Sequence, residues 1–196
     1  FTRKGPLFLA DTTVNFRPTA EELAEITLMV AKEVKQFNIE PKIAMLSYSN
    51  FGSSNSPEAN LVRQAREIVK QKEPTLKCDG EIQGILAFNK EILKENYPFS
   101  ELVNEDVNTL IFPNLVSGNI AYNLLQELGS ADSIGPILLG LNKPVHVLQL
   151  GSSSRGIFNM VLIAVVDAQV KSRQNEQDEM KRKRWWKRFS KSSSKI

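Results

Sequence analysis

One cysteine, one histidine and no internal repeat set the first limits on this chain of 196 residues. Cys78 has no second thiol to pair with, which excludes an internal disulfide and any multi-cysteine metal site; a small apolar filler beside a strand is expected. His146, flanked by Val145 and Val147, is the sole imidazole. A Ser-His-Asp relay would need it, and nothing near it has the form of a nucleophile elbow, so a structural role within a strand is expected. No Walker motif, dinucleotide glycine fingerprint or His-Glu metal pattern occurs, and no metal site is expected. The longest unbroken apolar run, MVLIAVV at residues 160–166, falls far short of the roughly 20 residues that cross a bilayer. With no signal peptide at the start, a cytoplasmic protein is expected. The first residue is Phe1 rather than methionine, which suggests processing or a piece of something longer.

What is present is a chain with 41% hydrophobic residues, enough for one substantial core or two lobes. The net charge of +3 hides a division. Residues 171–196 carry ten Lys or Arg against three Asp or Glu, a local charge of +7, and the remainder carries −4. A moderately acidic body therefore precedes a basic tail, and the sequence pI of about 9.0 implies no basic cleft in the body.

Thr19 and Glu22 form a capping-box pattern, followed by Leu23, Ile26, Val30, Val34 and Phe37 at helical spacing. Residues 42–47, KIAMLS, read as a buried strand that opens into a hydroxyl-rich turn at residues 47–54. Ser56 and Pro57 mark the next helix start, with Val62, Ala65, Ile68 and Val69 on one face. A polar turn, DGEIQ at residues 79–83, precedes a third helix that stops before Pro98. Residues 107–112 form a second strand, followed by a turn at residues 113–119 and a helix closed by Gly129. Residues 143–148, KPVHVL, form a third strand, then a turn at residues 151–155 and a long apolar helix over about residues 156–170. Alternating short strands and amphipathic helices predict an α/β domain with a mostly parallel sheet. Ligands of such sheets collect where strand ends meet helix starts. The three turns should share one rim, where backbone N–H groups and the helix dipole favour an anion such as a phosphate.

The stretches PLFLADTTVN (6–15), AMLSYS (44–49), DGEIQ (79–83), LIFPNLVSGNI (110–120), IGPIL (134–138) and GLNKPV (140–145) resemble the phosphate acetyltransferase and butyryltransferase family. The resemblance covers residues 5–170 and implies a three-layer α/β/α arrangement. The chain would be the second lobe and closing helix of a two-lobed unit whose cleft binds coenzyme A, usually as a homodimer. The first lobe would lie before Phe1. FLADTTVN, FNIEP and LSYSNFGS resemble, more narrowly, the transacetylase-like C-terminal part of bacterial NADP-dependent malic enzymes. That implies a regulatory part that senses acetyl-CoA or CoA and helps assemble an oligomer. NADP and a divalent metal would then belong to the malic enzyme part, with no cofactor expected in this chain and acetyl-CoA or CoA as its effector.

Aligned on Lys143, the family's catalytic Ser, Arg and Asp fall on Gln149, Leu150 and Gly156, and its cysteine falls on Thr12. The lysine expected after SYS is replaced near Phe51. Leucine donates nothing to an acyl phosphate and glycine takes no proton, so acetyl transfer is expected to be lost. Arg155 stands in a shifted position whose geometry differs from that of the missing arginine. CoA binding rests on shape, apolar contact and backbone donors, and its candidates are Ser47, Ser49, Asn50, Asn114, Ser117, Asn119, Lys143, Gly151 and Ser152. Asp79, Glu81 and Gln83 are expected to be structural, at a lobe or dimer contact. Two alternatives stay open: an active phosphate acetyltransferase using other residues, and a structural dimerisation module. Without the first lobe, Ile157, Phe158, Val161 and Leu162 would lack cover, which invites a homo-oligomer or a partner segment. The tail over residues 171–196 is expected to be flexible, and MKRKRWWKRFSK at residues 180–191 suits an anionic membrane surface, nucleic acid or an acidic partner.

Overall fold

The chain's first helix starts where the capping box places it. Thr19 Oγ1 accepts the Glu22 N–H at 3.2 Å, and the Glu22 carboxylate accepts the Thr19 N–H at 2.8 Å; two orphan donors of the first turn are thereby satisfied. In the computed structural model, which describes residues 5–129, 133–148 and 152–192, this helix α1 spans Ala20–Gln36. Leu23, Ile26, Val30 and Val34 are buried along one side of it. Helix α2, Pro57–Lys72, is capped by the Ser56 hydroxyl with Pro57 in its first turn, and buries Val62, Ala65 and Val69.

Four strands form one sheet: β1 (Phe8–Ala10), β2 (Lys42–Leu46), β3 (Lys77–Ile82) and β4 (Thr109–Ile111). Their order is β1-β4-β2-β3, and every pairing is parallel. On one face Ala44, Ile82, Leu110 and Phe112 pack with Leu86, Leu93 and Leu102, residues of α3 (Gly84–Ala87), α4 (Lys90–Asn96) and the segment after them. Alternate residues Ile43, Met45, Cys78 and Ile111, all buried, point the other way, toward α1 and α2, which pack on each other and on the sheet. The result is the α/β/α layering expected.

Three local assignments differ from expectation. DGEIQ is largely strand, not turn, because its polar groups are satisfied inside the fold. The Asp79 carboxylate accepts from Ser100 Oγ at 2.8 Å, Glu101 N at 3.0 Å and Arg66 Nε at 3.2 Å. The third helix is split into α3 and α4, with Asn89 capping the second piece through Ile92 N. KPVHVL at residues 143–148 is assigned no strand; a strand exists by its ladder, and among the described residues no strand pairs with it. Helix α5, Leu115–Leu128, ends at Gly129 as expected, with the glycine in right-handed backbone at φ −81°, so the helix stops without a left-handed cap.

The chain divides into two units, Phe1–Ser133 and Ile134–Ile196. The second unit is dominated by α6, Ser154–Ser192. The change to a flexible tail expected at residue 171 is therefore not a break in secondary structure. No glycine or proline follows Gly156, and Lys171 to Asp167 and Lys183 to Glu179 pair at i,i+4 spacing, so nothing interrupts the ladder. The ring nitrogens of His146 in this unit lack hydrogen-bond partners among the described residues. Nε2 lies 3.5 Å from Asp167 Oδ2, and among the described residues no serine bonds to the ring.

Gly80 is set by close approach. Its φ is +150°, and a Cβ there would lie 2.5 Å from the Met45 carbonyl oxygen. Gly80→Ala is expected to lower stability by about 2 kcal/mol or more, since backbone must move to admit the methyl group; a urea melt showing an unchanged midpoint would contradict this.

Candidate functional site

Parallel strands put their C-terminal ends on one edge of the sheet, so the loops after β1, β2, β3 and β4 meet there. The chain leaves β1 and β2 for α1 and α2 on one face. It leaves β4 for α5, whose Ala121 packs against the core of the opposite face. In such sheets, chains diverging to opposite faces place the ligand crevice at the strand ends. The expected turns at residues 47–54 and 113–119 follow β2 and β4 at that edge.

The first turn is held by a buried carboxylate. β3 contains one extra residue relative to β2, because Met45 pairs with Gly80 and Leu46 with Ile82. This bulge aims Glu81 inward, where the residue is 0% exposed. Glu81 Oε1 accepts from Ser49 Oγ at 2.9 Å, Gly52 N at 2.8 Å and Arg63 Nη2 at 2.8 Å, and Oε2 accepts from Arg63 Nε at 2.9 Å. Burial works to raise the Glu81 pKa, but Arg63 and the Gly52 and Ser49 donors outweigh it and hold it below the ordinary 4.5. The carboxylate thus stays ionised and fixes the turn to α2.

A second carboxylate organises the loop after β1. The Asp11 side chain accepts from the N–H groups of Thr13, Val14 and Asn15 at 2.7, 2.9 and 2.7 Å, and from Asn15 Nδ2 at 2.7 Å. Burial opposes ionisation here too, and these donors win, so its pKa falls below 3.8. Against this loop lies α5. A side chain at Gly118 would collide with the Asp11 carbonyl oxygen, and Asn119 Nδ2 donates to the Thr12 carbonyl at 3.3 Å.

The candidate residues fare unequally in this geometry. Ser49 is buried and committed to Glu81 and Ser53. Ser47 accepts from the Ser49 N–H at 3.3 Å. Asn50 gives its side-chain oxygen to Gln83 N at 2.8 Å; among the described residues nothing accepts from its Nδ2. Asn114 caps α5 by accepting from Ser117 N at 2.9 Å, and Ser117 Oγ returns a bond to the Asn114 carbonyl at 3.0 Å. Asn119 and Thr12 are brought together directly. Lys143, exposed, and Ser152 belong to the second unit, as does Gly156, whose N–H donates to Ser153 Oγ at 3.1 Å. Gln149, Leu150 and Gly151 lie outside the described residues. Phe51, near the replaced lysine, stacks within 5.0 Å of Tyr97 and 5.2 Å of Phe99 between ring centres, so an aromatic cluster fills that position.

Asp11, Arg63 and Gly118 were not singled out as organisers of the site. The Asp-x-x-x-Asn spacing at residues 11–15 is a local signal of an Asx turn. Arg63 and Gly118 leave none, since their partners are distant in sequence.

The Phosphate acetyl/butaryl transferase family matches over residues 1–165. The chain belongs to this family. Among its relatives, the NADP-dependent malic enzyme of Haemophilus influenzae is 50% identical over 165 residues, 84% of this chain and 22% of that protein. The phosphate acetyltransferase of Bacillus subtilis is 42% identical over 159 residues, 81% of this chain and 49% of that protein. A phosphotransacetylase from Streptococcus pyogenes has the same fold, with a TM-score of 0.76 and 46% identity over 81% of this chain and 48% of that one. The chain therefore spans about half the length of the transacetylases and about a fifth of the malic enzyme.

Removing Arg63 isolates the charge on Glu81. Arg63→Met is expected to cost about 3 kcal/mol near neutral pH, at the low end for a broken buried pair because Ser49 and Gly52 still donate. Since Glu81 has a depressed folded pKa, its contribution is complete above 4.5 and is lost as pH falls through the folded value. The gap between wild type and Arg63→Met should narrow in that acid range, as measured by urea melts from neutral to acid pH; a constant gap would refute the assignment.

Proposed function

We propose that this chain is the transacetylase-like regulatory part of an NADP-dependent malic enzyme, which binds acetyl-CoA or CoA, helps assemble a homo-oligomer, and does not transfer acetyl groups. The observation that carries it is a selective loss. The turn loops carry hydroxyl and amide groups, whereas Gln149, Leu150, Gly156 and Thr12 stand where the resemblance, aligned on Lys143, puts the family's reactive residues. A ligand with phosphates and amide linkages suits such neutral donors at the starts of α2 and α5. The 50% identity to a malic enzyme supports the malic-enzyme part of this reading, beside identities of 42% and 46% to two transacetylases.

Assembly has its own support. Ile120, Leu124 and Leu128 are exposed on α5, and Ile157, Phe158, Val161 and Leu162 on α6, with Phe158 62% exposed. Apolar rows of this kind mark association surfaces. Regulation would follow from differential affinity: an effector that binds one arrangement of the oligomer better shifts the population toward it. NADP and a divalent metal belong, in this reading, to the malic enzyme part.

Calorimetric titration with acetyl-CoA, CoA and acetyl phosphate, paired with an acetyl-transfer assay, tests the proposal. Binding of acetyl-CoA or CoA without turnover is expected. Turnover would establish an active transacetylase, and neither binding nor turnover would leave a dimerisation module. Light scattering should give a mass above that of the monomer; a monomer would remove the assembly role.

A further inference from the structure

The family match ends at residue 165, yet α6 continues to Ser192. Its last stretch, KRKRWWKRFSK at residues 181–191, holds seven Lys or Arg and no Asp or Glu. Lys181 Nζ lies 3.7 Å from Asp178 and Lys183 Nζ 3.3 Å from Glu179, each within a turn. Both pairs are largely exposed, and exposed pairs are weak enough for another anion to displace.

Helical geometry sorts this stretch. At about 100° per residue, positions 185, 186 and 189 fall in one arc of about 100°, while 181, 183, 184, 187, 188 and 191 occupy the opposite side. Only Arg182 shares the aromatic arc. Trp185 is 53% exposed. Nucleic-acid grooves set aromatic rings among cations along one strand path. A helix lying at a bilayer surface instead separates them, with rings at the acyl boundary and Lys and Arg at the headgroup phosphates. Among the described residues no helix is long and apolar enough to cross a membrane, so such a helix lies on the surface.

We infer that residues 180–192 are a peripheral anchor for an anionic phospholipid surface, a role separate from effector binding. The charge of the stretch supplies attraction, and its aromatic arc supplies insertion. Both tryptophans of the chain are in it, at 185 and 186, so selectively excited tryptophan emission reads this segment alone.

The full chain is mixed with vesicles of phosphatidylcholine and phosphatidylserine, or of phosphatidylcholine alone, and followed by sedimentation and tryptophan emission. Sedimentation and a blue shift are expected with the anionic vesicles only. The triple variant Arg184→Gln, Lys187→Gln, Arg188→Gln should partition about 100-fold less, at about fivefold per cation, with the urea midpoint of the body unchanged. Equal sedimentation on both vesicle types, or a triple variant that binds like wild type, overturns the anchor. Sedimentation without a blue shift overturns it too, as does binding to a single-stranded oligonucleotide but not to vesicles.

Discussion

The Glu81 carboxylate is shut off from water, and the crevice edge of the sheet is built around keeping it charged. A buried carboxylate without donors would take up a proton or unfold its surroundings. Here Arg63 reaches it from α2, Gly52 and Ser49 from the loop after β2, and the bulge in β3 turns it inward. One group thus ties a strand, a loop and a helix together. The Phe51 N–H adds a bond to the Glu81 carbonyl at 2.9 Å, so the backbone of the loop follows the side chain. Ser49 is consumed by this construction, and the half-buried Asn50 accepts from Gln83 N.

The loop after β1 repeats the device with Asp11, whose carboxylate is satisfied by its own following residues. Gly118 then lets α5 come against that loop. Rigid loops of this kind can hold a ligand without catalysing its reaction, because recognition needs fixed donors and space, whereas acyl transfer needs a cation and a proton acceptor at set positions. Leucine and glycine, the side chains at 150 and 156, are neither; the proposed sensor role rests on that difference between holding a ligand and transforming it.

Helices were legible from the chain because their signals are local. Thr19 with Glu22, Ser56 with Pro57, and Gly129 each act within a few residues of themselves, and all three mark observed ends. Strands were less so. β2 and β4 stood out as apolar runs, but β1 has three residues and β3 carries Asp79, Gly80 and Glu81, which read as a turn. KPVHVL has the apolar alternation of a strand without a ladder partner among the described residues. In the candidate site, the turns at residues 47–54 and 113–119 were found from their hydroxyls and amides, whereas Arg63 was not, since its partner lies 18 residues away on another element.

What the sequence by itself determined was the class of the fold, the helix ends marked at Thr19, Ser56 and Gly129, and the family resemblance, because periodicity, caps and residue identity are read without neighbours. What the tertiary structure alone decided was the sheet order, the inward turn of Glu81, the closeness of α5 to the Asp11 loop, and which hydroxyls are spent inside the protein. Those depend on pairs of groups far apart in the chain. A carboxylate on a strand is a surface residue or the centre of a site according to what folds over it.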